Sequence, residues 1–166
     1  MVAPRRCVFL DRDGVINRKP PEGDYVRTWR EFQFLPGVAD WIQLLNALGL
    51  LIVVVTNQRG VATGLIRSDD LQEIHRNMTQ ELARAGARID DIFTCPHENG
   101  TCECRKPKPG LVRMAQRKWN IDLDASLLIG DSETDRLLAA ECGLGFVRAR
   151  EGRIVEVAQA LQGWSA

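Results

Sequence analysis

The most concentrated chemistry in this sequence lies between residues 95 and 110, CPHENGTCECRKPKPG, which carry three of the five cysteines and one of the two histidines. The side chains follow a C-x-H pattern and then a C-x-C pattern. Three thiolates and an imidazole are suitable ligands for tetrahedral Zn²⁺, and four protein ligands make a closed, structural site. A disulfide, or a spacing without function, remains the alternative. The predicted zinc ligands, on a zinc-binding loop over residues 95–104, are Cys95, His97, Cys102 and Cys104.

A second group of reactive side chains follows three separate apolar runs. RCVFL is followed by Asp11, LLIVVVT ends at Thr56, and SLLIG is followed by Asp131. An aspartate after a strand is often only a turn former, but three such positions in one chain favour a shared site. Clustered carboxylates without a histidine favour Mg²⁺, which proteins hold through one or two carboxylates, waters and substrate phosphates. The predicted magnesium ligands are Asp11, Asp13 and Asp131.

Such an assembly suits phosphoryl transfer, in which positioning and charge neutralisation do most of the work. Asp11 is placed to act as a nucleophile and form an aspartyl-phosphate. Asp13 is placed to protonate the leaving alkoxide and then to take a proton from the attacking water. Thr56 and the backbone amides after it can donate hydrogen bonds to the phosphoryl oxygens. These residues predict a phosphatase.

Alternating strands and helices must position these side chains. Short apolar runs alternate along the chain with segments whose apolar residues recur at helical spacing. This alternation predicts an α/β fold, a Rossmann-like three-layer sandwich with a central parallel sheet. In such sheets the ligand site lies at the carboxyl ends of the strands. Strands are predicted over residues 6–10, 50–56, 89–95, 126–130 and 145–148, and helices over 38–48, 68–86 with Ser68 as the cap, 110–119, 133–142 and 154–161.

The composition limits the classes of protein that this chain can belong to. The 166 residues fit one domain, predicted to span residues 1–166. The 22 basic and 22 acidic residues balance, which argues against a nucleic-acid partner or an anionic membrane surface. No apolar run approaches the roughly 20 residues of a transmembrane helix, and the start, MVAPRRCVFLDRDG, does not fit a signal peptide. We expect a cytoplasmic monomer, in a reducing compartment where metal binding is favoured over a disulfide.

The order of the motifs DRDGVIN, TNQ, RKP and GDSETD resembles the haloacid dehalogenase superfamily of aspartate-nucleophile phosphatases, over nearly the whole chain. Within it, TNQRGVATG and CPHENGTCECRKPKPG are similar to the zinc-containing branch, which includes heptose-bisphosphate and histidinol-phosphate phosphatases. GDYVRTWREFQFLPG and GLIRSDDLQEIHRNMTQELARAGARIDDIFTCPH resemble the heptose enzymes.

This resemblance implies a Mg²⁺-dependent enzyme that removes the 7-phosphate of a manno-heptose 1,7-bisphosphate, a small phosphorylated sugar used for surface polysaccharide. Histidinol phosphate or another small phosphomonoester is the alternative substrate. A catalytically silent scaffold is disfavoured, because such a protein should have lost at least one of the motif residues.

The resemblance also assigns Lys106 a role facing the phosphate. A metal site immediately upstream, with Pro107 and Pro109 stiffening the backbone, would hold Arg105 and Lys106 over the strand ends. Arg105 and Arg59 are the candidates for a distal phosphate, since guanidinium binds phosphate in bidentate fashion.

The gaps between the motifs have no room for a cap domain. The sequence therefore predicts an open site with a rim made of the loops 17–35 and 58–67 and the zinc-binding loop. Cys7 and Cys142 are expected to be core thiols without a chemical role. His75 is expected at the surface, and Lys108 is expected to contact only solvent. The predicted substrate-binding residues are Asn17, Tyr25, Thr56, Asn57, Gln58, Arg59, Arg105 and Lys106.

Overall fold

The structure is a computed structural model that describes residues 3–150. Strands and helices alternate along this part of the chain, as predicted. The strands are β1 Cys7–Leu10, β2 Leu51–Asn57, β3 Asp91–Cys95, β4 Leu127–Gly130 and β5 Gly145–Arg148. The α-helices are α1 Val38–Ala47, α2 Ser68–Arg84, α3 Gly110–Trp119 and α4 Glu133–Cys142, and a short 3₁₀ helix covers Trp29–Glu31.

The described strands form one parallel sheet in the order β3-β2-β1-β4-β5. The central strand, β1, pairs with β2 on one side and β4 on the other, so that Phe9 is in register with both Val53 and Leu128. All four residues of β1 are fully buried, as expected of a parallel strand covered on both faces. The carboxyl ends of β2, β1 and β4 therefore lie side by side at one edge of the sheet.

Side chains along β1 alternate between two hydrophobic layers. Val8 and Leu10 pack in a layer with residues of α1 and α2, whereas Cys7 and Phe9 pack in a layer with residues of α3 and α4. The predicted three-layer α/β sandwich is confirmed. The thiols of Cys7 and Cys142 are both buried in the second layer, which confirms the prediction of core cysteines.

The segments that join the first three strands contain no inserted domain. The segment between β1 and β2 holds the 3₁₀ helix and α1, and the segment between β2 and β3 holds α2. The carboxyl edge of the sheet is therefore bordered by loops. Within residues 3–150 no helix is long and apolar enough to cross a membrane.

Most predicted elements differ from the structure by one or two residues at an end, and the starts of α2 and β3 illustrate why. The start of α2 is not capped by Ser68, which is already helical; the capping position is Arg67, whose extended backbone brings no side-chain hydrogen bond. The third strand begins at Asp91 rather than at residue 89, because Ile89 and Asp90 lie in the irregular connection between α2 and the strand. The predicted helix over residues 154–161 lies outside the described residues.

Candidate active site

The ends of β1 and β4 bring two of the predicted carboxylates together. Asp11 follows β1 and Asp131 follows β4, and the backbone N–H of Asp11 donates to the carbonyl of Ile129 at 3.0 Å. Among the described residues, Asp11, Asp131 and Asp135 each offer a carboxylate oxygen within 4.8 Å of the others. The Oδ1 atom of Asp131 is buried and has no hydrogen-bond partner. A group of hard oxygen donors with a free, buried oxygen fits a Mg²⁺ ion.

Gly14 makes the room that this arrangement needs. Its backbone has φ +89°, and an added Cβ would lie 2.2 Å from Oδ2 of Asp131. A left-handed backbone conformation is costly for residues with a side chain. Gly14 therefore allows the turn after β1 to approach the Asp131 carboxylate.

A buried lysine bridges two carboxylates of the site. The Nζ of Lys106 donates to Oδ1 of Asp11 at 2.9 Å and to Oδ1 of Asp135 at 2.7 Å. Burial alone would lower the pKa of Lys106, but the two carboxylates outweigh it and raise that pKa. Burial raises the pKa of Asp11 to about 7 against the opposing effect of Lys106, and Asp135 adds to the rise. The site thus favours an additional positive charge, which would stabilise the ionised Asp11.

Asp135 was not among the predicted site residues. Its Oδ1 accepts from Lys106, and its Oδ2 accepts from the backbone N–H and the hydroxyl of Ser132 at 3.2 and 2.7 Å. Ser132 and Asp135 form a capping box at the start of α4. Because both of its oxygens are engaged, Asp135 fixes Lys106 in place. The S-x-x-D spacing after β4 was the available signal in the sequence.

The carboxylate of Asp13 lies outside the group formed by the other three aspartates. Arg12 donates to both of its oxygens, at 2.9 and 3.2 Å, while Asn17 donates at 2.9 Å and Gln58 at 3.0 Å. Burial would raise the pKa of Asp13, but Arg12 and Asn17, with Gln58, hold it below its usual range. Asn17 and Gln58, predicted to bind substrate, here orient the predicted acid–base residue. The structure does not bring the Asp13 side chain to the predicted magnesium position.

Arg12 and His75 extend this network into the protein. Arg12 is 0% exposed, and its Nη1 lies 3.2 Å from Nε2 of His75. His75 is partly buried against the site, so the prediction of a surface side chain is wrong. Its place next to Ile74, at the border of the apolar face of α2, was ambiguous from helical spacing alone.

The end of β2 contributes a hydroxyl and an anchoring amide. The Oγ1 of Thr56 accepts from Nε2 of Gln58 at 2.9 Å. The side chain of Asn57 makes two hydrogen bonds to the backbone of Lys106, at 3.2 and 3.0 Å. Asn57 therefore fixes the segment that carries Lys106 to the end of β2.

The four predicted zinc ligands converge on one point. Their ligand atoms lie within 4.8 Å of one another; Sγ of Cys95 is 3.6 Å from both Nδ1 of His97 and Sγ of Cys102, and His97 Nδ1 is 3.2 Å from Sγ of Cys104. Tetrahedral Zn²⁺ with usual bond lengths would separate such atoms by roughly 3.5–3.8 Å, whereas a disulfide needs about 2.05 Å. The donor types and spacings fit zinc.

The zinc-binding loop packs closely against the start of α3. An added Cβ on Gly110 would lie 2.4 Å from the carbonyl oxygen of Glu103. Lys108 crosses back to the loop and donates to the carbonyl of Cys102 and to Glu103, both at 2.8 Å. The expectation that Lys108 contacts only solvent is therefore wrong, because its ammonium links the RKPKP segment to the zinc-binding loop.

The rim of the site contains three further cations. Arg59 forms a salt bridge with Glu98 of the zinc-binding loop, and Tyr25 also raises the pKa of Arg59, after the larger effect of Glu98. Arg105 is half-buried, and its Nη1 has no hydrogen-bond partner. Lys19, which belongs to the predicted rim loop 17–35 but was not among the predicted site residues, donates to Oδ2 of Asp131 at 2.7 Å.

The site combines an aspartate that follows the central strand, a lysine that bridges it to Asp135, and a threonine on the adjacent strand. This fold and this site define an aspartate-based phosphatase with the haloacid dehalogenase fold. A family model described as HAD-hydrolase-like matches residues 103–159.

Close relatives narrow this class. A D-glycero-alpha-D-manno-heptose-1,7-bisphosphate 7-phosphatase of Mycobacterium bovis is 48% identical over 84% of this chain and 76% of its own length. A D-glycero-beta-D-manno-heptose-1,7-bisphosphate 7-phosphatase of Rhodopseudomonas palustris is 43% identical over 93% and 89%. The crystal structure of the D,D-heptose 1,7-bisphosphate phosphatase from B. bronchiseptica, complexed with magnesium and phosphate, matches with a TM-score of 0.86 and 32% identity, covering 96% of this chain and 99% of that one. The chain belongs to the heptose-bisphosphate phosphatase family of haloacid dehalogenase-like hydrolases.

Proposed function

We propose that this protein is a Mg²⁺-dependent phosphatase that hydrolyses the 7-phosphate of D-glycero-D-manno-heptose 1,7-bisphosphate through an aspartyl-phosphate on Asp11. The observation that carries the proposal is the buried Lys106 bridge, which places a fixed positive charge against Asp11 and Asp135 beside the unpartnered oxygen of Asp131. The names of the relatives supply the substrate.

The first half of the reaction uses Asp11 and Asp13. A carboxylate oxygen of Asp11 forms a bond to phosphorus while the bond from phosphorus to the sugar oxygen breaks. The leaving oxygen takes a proton from Asp13. The approach of a dianionic phosphate disfavours a nearby negative charge, which favours the protonated form of Asp13 at this stage.

The second half returns Asp11 to its starting state. Asp13 accepts a proton from water as the water oxygen attacks the phosphorus, and the bond between Asp11 and phosphorus breaks to release inorganic phosphate. Lys106 stays between Asp11 and Asp135, where its ammonium offsets the charge of the phosphoryl oxygens. In this proposal the hydroxyl of Thr56, which accepts from Gln58, donates to the same oxygens.

Two metal ions have separate roles in this proposal. Asp11 and Oδ1 of Asp131 would hold Mg²⁺, which when bound supplies positive charge to the phosphoryl group. The four side chains of the zinc-binding loop would hold a structural Zn²⁺. This loop precedes Arg105 and Lys106 directly, so its order fixes the backbone from which both cations extend.

Arg105 is the best placed cation for the 1-phosphate. Its Nη1 atom is buried and has no partner, whereas Arg59, the other candidate, is engaged by Glu98. A guanidinium with one unused donor gains a charge-assisted hydrogen bond when phosphate arrives. We therefore assign recognition of the distal phosphate to Arg105 and the bracing of the rim loops to Arg59.

A ranked substrate panel tests the proposal. The relatives are named for both anomers, so the panel contains the alpha and beta heptose 1,7-bisphosphates, with histidinol phosphate and an aryl phosphate for comparison. We expect the highest kcat/KM for one of the two bisphosphates, and ³¹P NMR should show the 1-phosphate intact in the product. A higher kcat/KM for histidinol phosphate would overturn the substrate assignment while leaving the phosphatase chemistry in place.

The proposed product fits a biosynthetic role. A heptose 1-phosphate keeps the anomeric phosphate that a nucleotidyltransferase needs to make a sugar nucleotide, from which surface polysaccharide is built. We infer that the enzyme works as a monomer in the cytoplasm, where such precursors are made. Size-exclusion chromatography with light scattering tests the monomer directly.

A further inference from the structure

Lys19 lies directly on a carboxylate of the metal site. Its Nζ is 2.7 Å from Oδ2 of Asp131, and its side chain is 53% exposed while that of Asp131 is 15% exposed. Oδ1 of Asp131 is buried without a partner. One carboxylate thus has one oxygen neutralised by an ammonium from the rim and the other oxygen unused.

The backbone that carries Lys19 is fixed, whereas its side chain can move. The N–H of Arg18 donates to the carbonyl of Gln33 at 2.8 Å, and Pro20 follows directly, which restricts the backbone of Lys19 to extended conformations. The side chain has four rotatable bonds and is half in solvent. Lys19 can therefore reach Asp131 repeatedly from one anchor point and can also swing away without any rearrangement of the fold.

The charges at the site make the contact sensitive to a second cation. The carboxylates of Asp11, Asp131 and Asp135 face the ammonium groups of Lys106 and Lys19. Lys106 is buried and its ammonium contacts two carboxylates, so it stays in place when a dication arrives. Lys19 is the exposed partner, and like charges at close range repel.

We propose that Lys19 is a displaceable counter-ion of the metal site: its ammonium neutralises Asp131 while no metal is bound and is driven off when Mg²⁺ binds. Lys19 then lowers the affinity for Mg²⁺ below the value that the carboxylates alone would give. This inference rests on the proposed Mg²⁺ site. The opposite possibility is that Lys19 orients Asp131 for the metal, in which case its removal weakens Mg²⁺ binding.

Calorimetric titration of the full chain with Mg²⁺ alone, after dialysis into buffer free of divalent ions, separates these cases. We expect Lys19→Met to bind Mg²⁺ roughly three- to tenfold more tightly than the wild type, an effect typical of removing one charge a few ångströms from a dication in a partly solvated site. Lys19→Arg keeps the charge and should stay within about twofold. Arg18→Met, which removes the same charge from the neighbouring exposed position, should also stay within about twofold because long-range surface charge is screened.

Thermal unfolding gives a second measurement that does not depend on activity. In the same buffer Lys19→Met should unfold at a lower temperature than the wild type, and added Mg²⁺ should raise its midpoint by more, since tighter binding stabilises more. Equal or weaker Mg²⁺ affinity of Lys19→Met, with normal binding by the wild type, would show the counter-ion inference to be wrong. A wild-type protein that takes up no Mg²⁺ would overturn the proposed metal site and this inference with it.

Discussion

The guanidinium of Arg12 and the imidazole of His75 meet at 3.2 Å inside the protein, although they come from the turn after β1 and the middle of α2. Arg12 is fully buried, and its Nε and Nη2 donate to the carboxylate of Asp13. An Arg guanidinium only donates hydrogen bonds, so Nε2 of His75 must be the acceptor and the imidazole is neutral. A helix on one face of the sheet thereby helps to orient the predicted acid–base residue.

Replacing His75 should test this support. In His75→Phe the buried Nη1 of Arg12 loses its acceptor, which should cost about 1–3 kcal/mol in the free energy of unfolding and lower kcat through a less ordered Asp13. His75→Gln keeps an acceptor and should lose less of both. Urea unfolding and steady-state kinetics measure the two effects, with Gln72→Phe on the exposed face of α2 as the control. Equal stability of the Phe and Gln variants would show that the contact contributes little.

The same residue predicts how stability depends on pH. Burial, and then the charge of Arg12, lower the pKa of His75 from 6.5 to about 3. Between these values the unfolded chain binds a proton that the folded chain does not, so the free energy of unfolding falls as the pH falls. Between pH 7.5 and pH 5.0 His75 should account for a loss of about 2 kcal/mol. Urea unfolding at both pH values should show a loss larger by this amount in the wild type than in His75→Gln; identical losses would mean that His75 titrates normally.

Asp11→Asn should abolish turnover and leave the fold intact. The amide preserves the size of the side chain but removes the nucleophile, and Lys106 keeps Asp135 as a partner. We expect kcat to fall by more than about a hundredfold, in the range expected for losing a nucleophile, with a circular dichroism spectrum like that of the wild type. Asp24→Asn, at an exposed rim position, is the control and should remain active. Residual activity above a hundredth of the wild-type value would rule out the covalent mechanism.

Cys102→Ser tests whether the zinc-binding loop supports the substrate site. The wild type should contain about one equivalent of zinc that survives dialysis against buffer without metal ions. The variant should lose zinc, unfold at a lower temperature and show a raised KM, because the segment with Arg105 and Lys106 loses its anchor. Metal analysis, thermal unfolding and kinetics give the three results. Cys142→Ala removes a buried thiol outside the group and should keep its zinc; a zinc-free Cys102→Ser with unchanged kinetics would refute the anchoring role.

Arg105→Ala should damage recognition of the bisphosphate selectively. Losing one charge-assisted pair costs about 1.5–3 kcal/mol, or roughly 10- to 150-fold in KM, while kcat on an activated aryl phosphate should change little. Arg59→Ala is the matched control, and since Glu98 already engages Arg59, it should raise KM for the bisphosphate much less. Equal damage to both substrates by Arg105→Ala would reassign Arg105 to general support of the phosphoryl site.

The sequence predicted what depends on local pattern. The apolar runs of β1, β2 and β4 predicted the sheet. The residues directly after two of these runs are Asp11 and Asp131, and the last residue of the third is Thr56. The cysteine and histidine spacing gave the group of four ligands, because a short loop leaves its side chains little freedom to separate. Each of these features can be predicted from a hydrophobic period, from the end of a strand, or from residues that are close together in the sequence.

The remaining features depend on which distant side chains meet. Nothing in the sequence of residues 18–24, RKPPEGD, indicates that Lys19 contacts Asp131. The course of an exposed loop is set by contacts with distant parts of the fold. His75 lies one position beyond Ile74 on α2, where spacing alone cannot separate a surface residue from one that faces a buried arginine. Asp13 belongs to the motif that predicts a metal ligand, but its carboxylate is bound by Arg12 and lies outside the group of Asp11, Asp131 and Asp135.

The order of the strands has a consequence for how the enzyme is made. Among the described strands β1, which directly precedes Asp11, is synthesised before the others, yet it lies at the centre of the sheet. The N–H of Cys7 donates to Oγ of Ser126, 119 positions later in the chain. At a translation rate of roughly 5–20 residues per second, the β4 partner follows the nucleophile by about 6–24 seconds. For that interval a growing chain on the ribosome carries the proposed nucleophile, Asp11, without the neighbouring strand that completes the site.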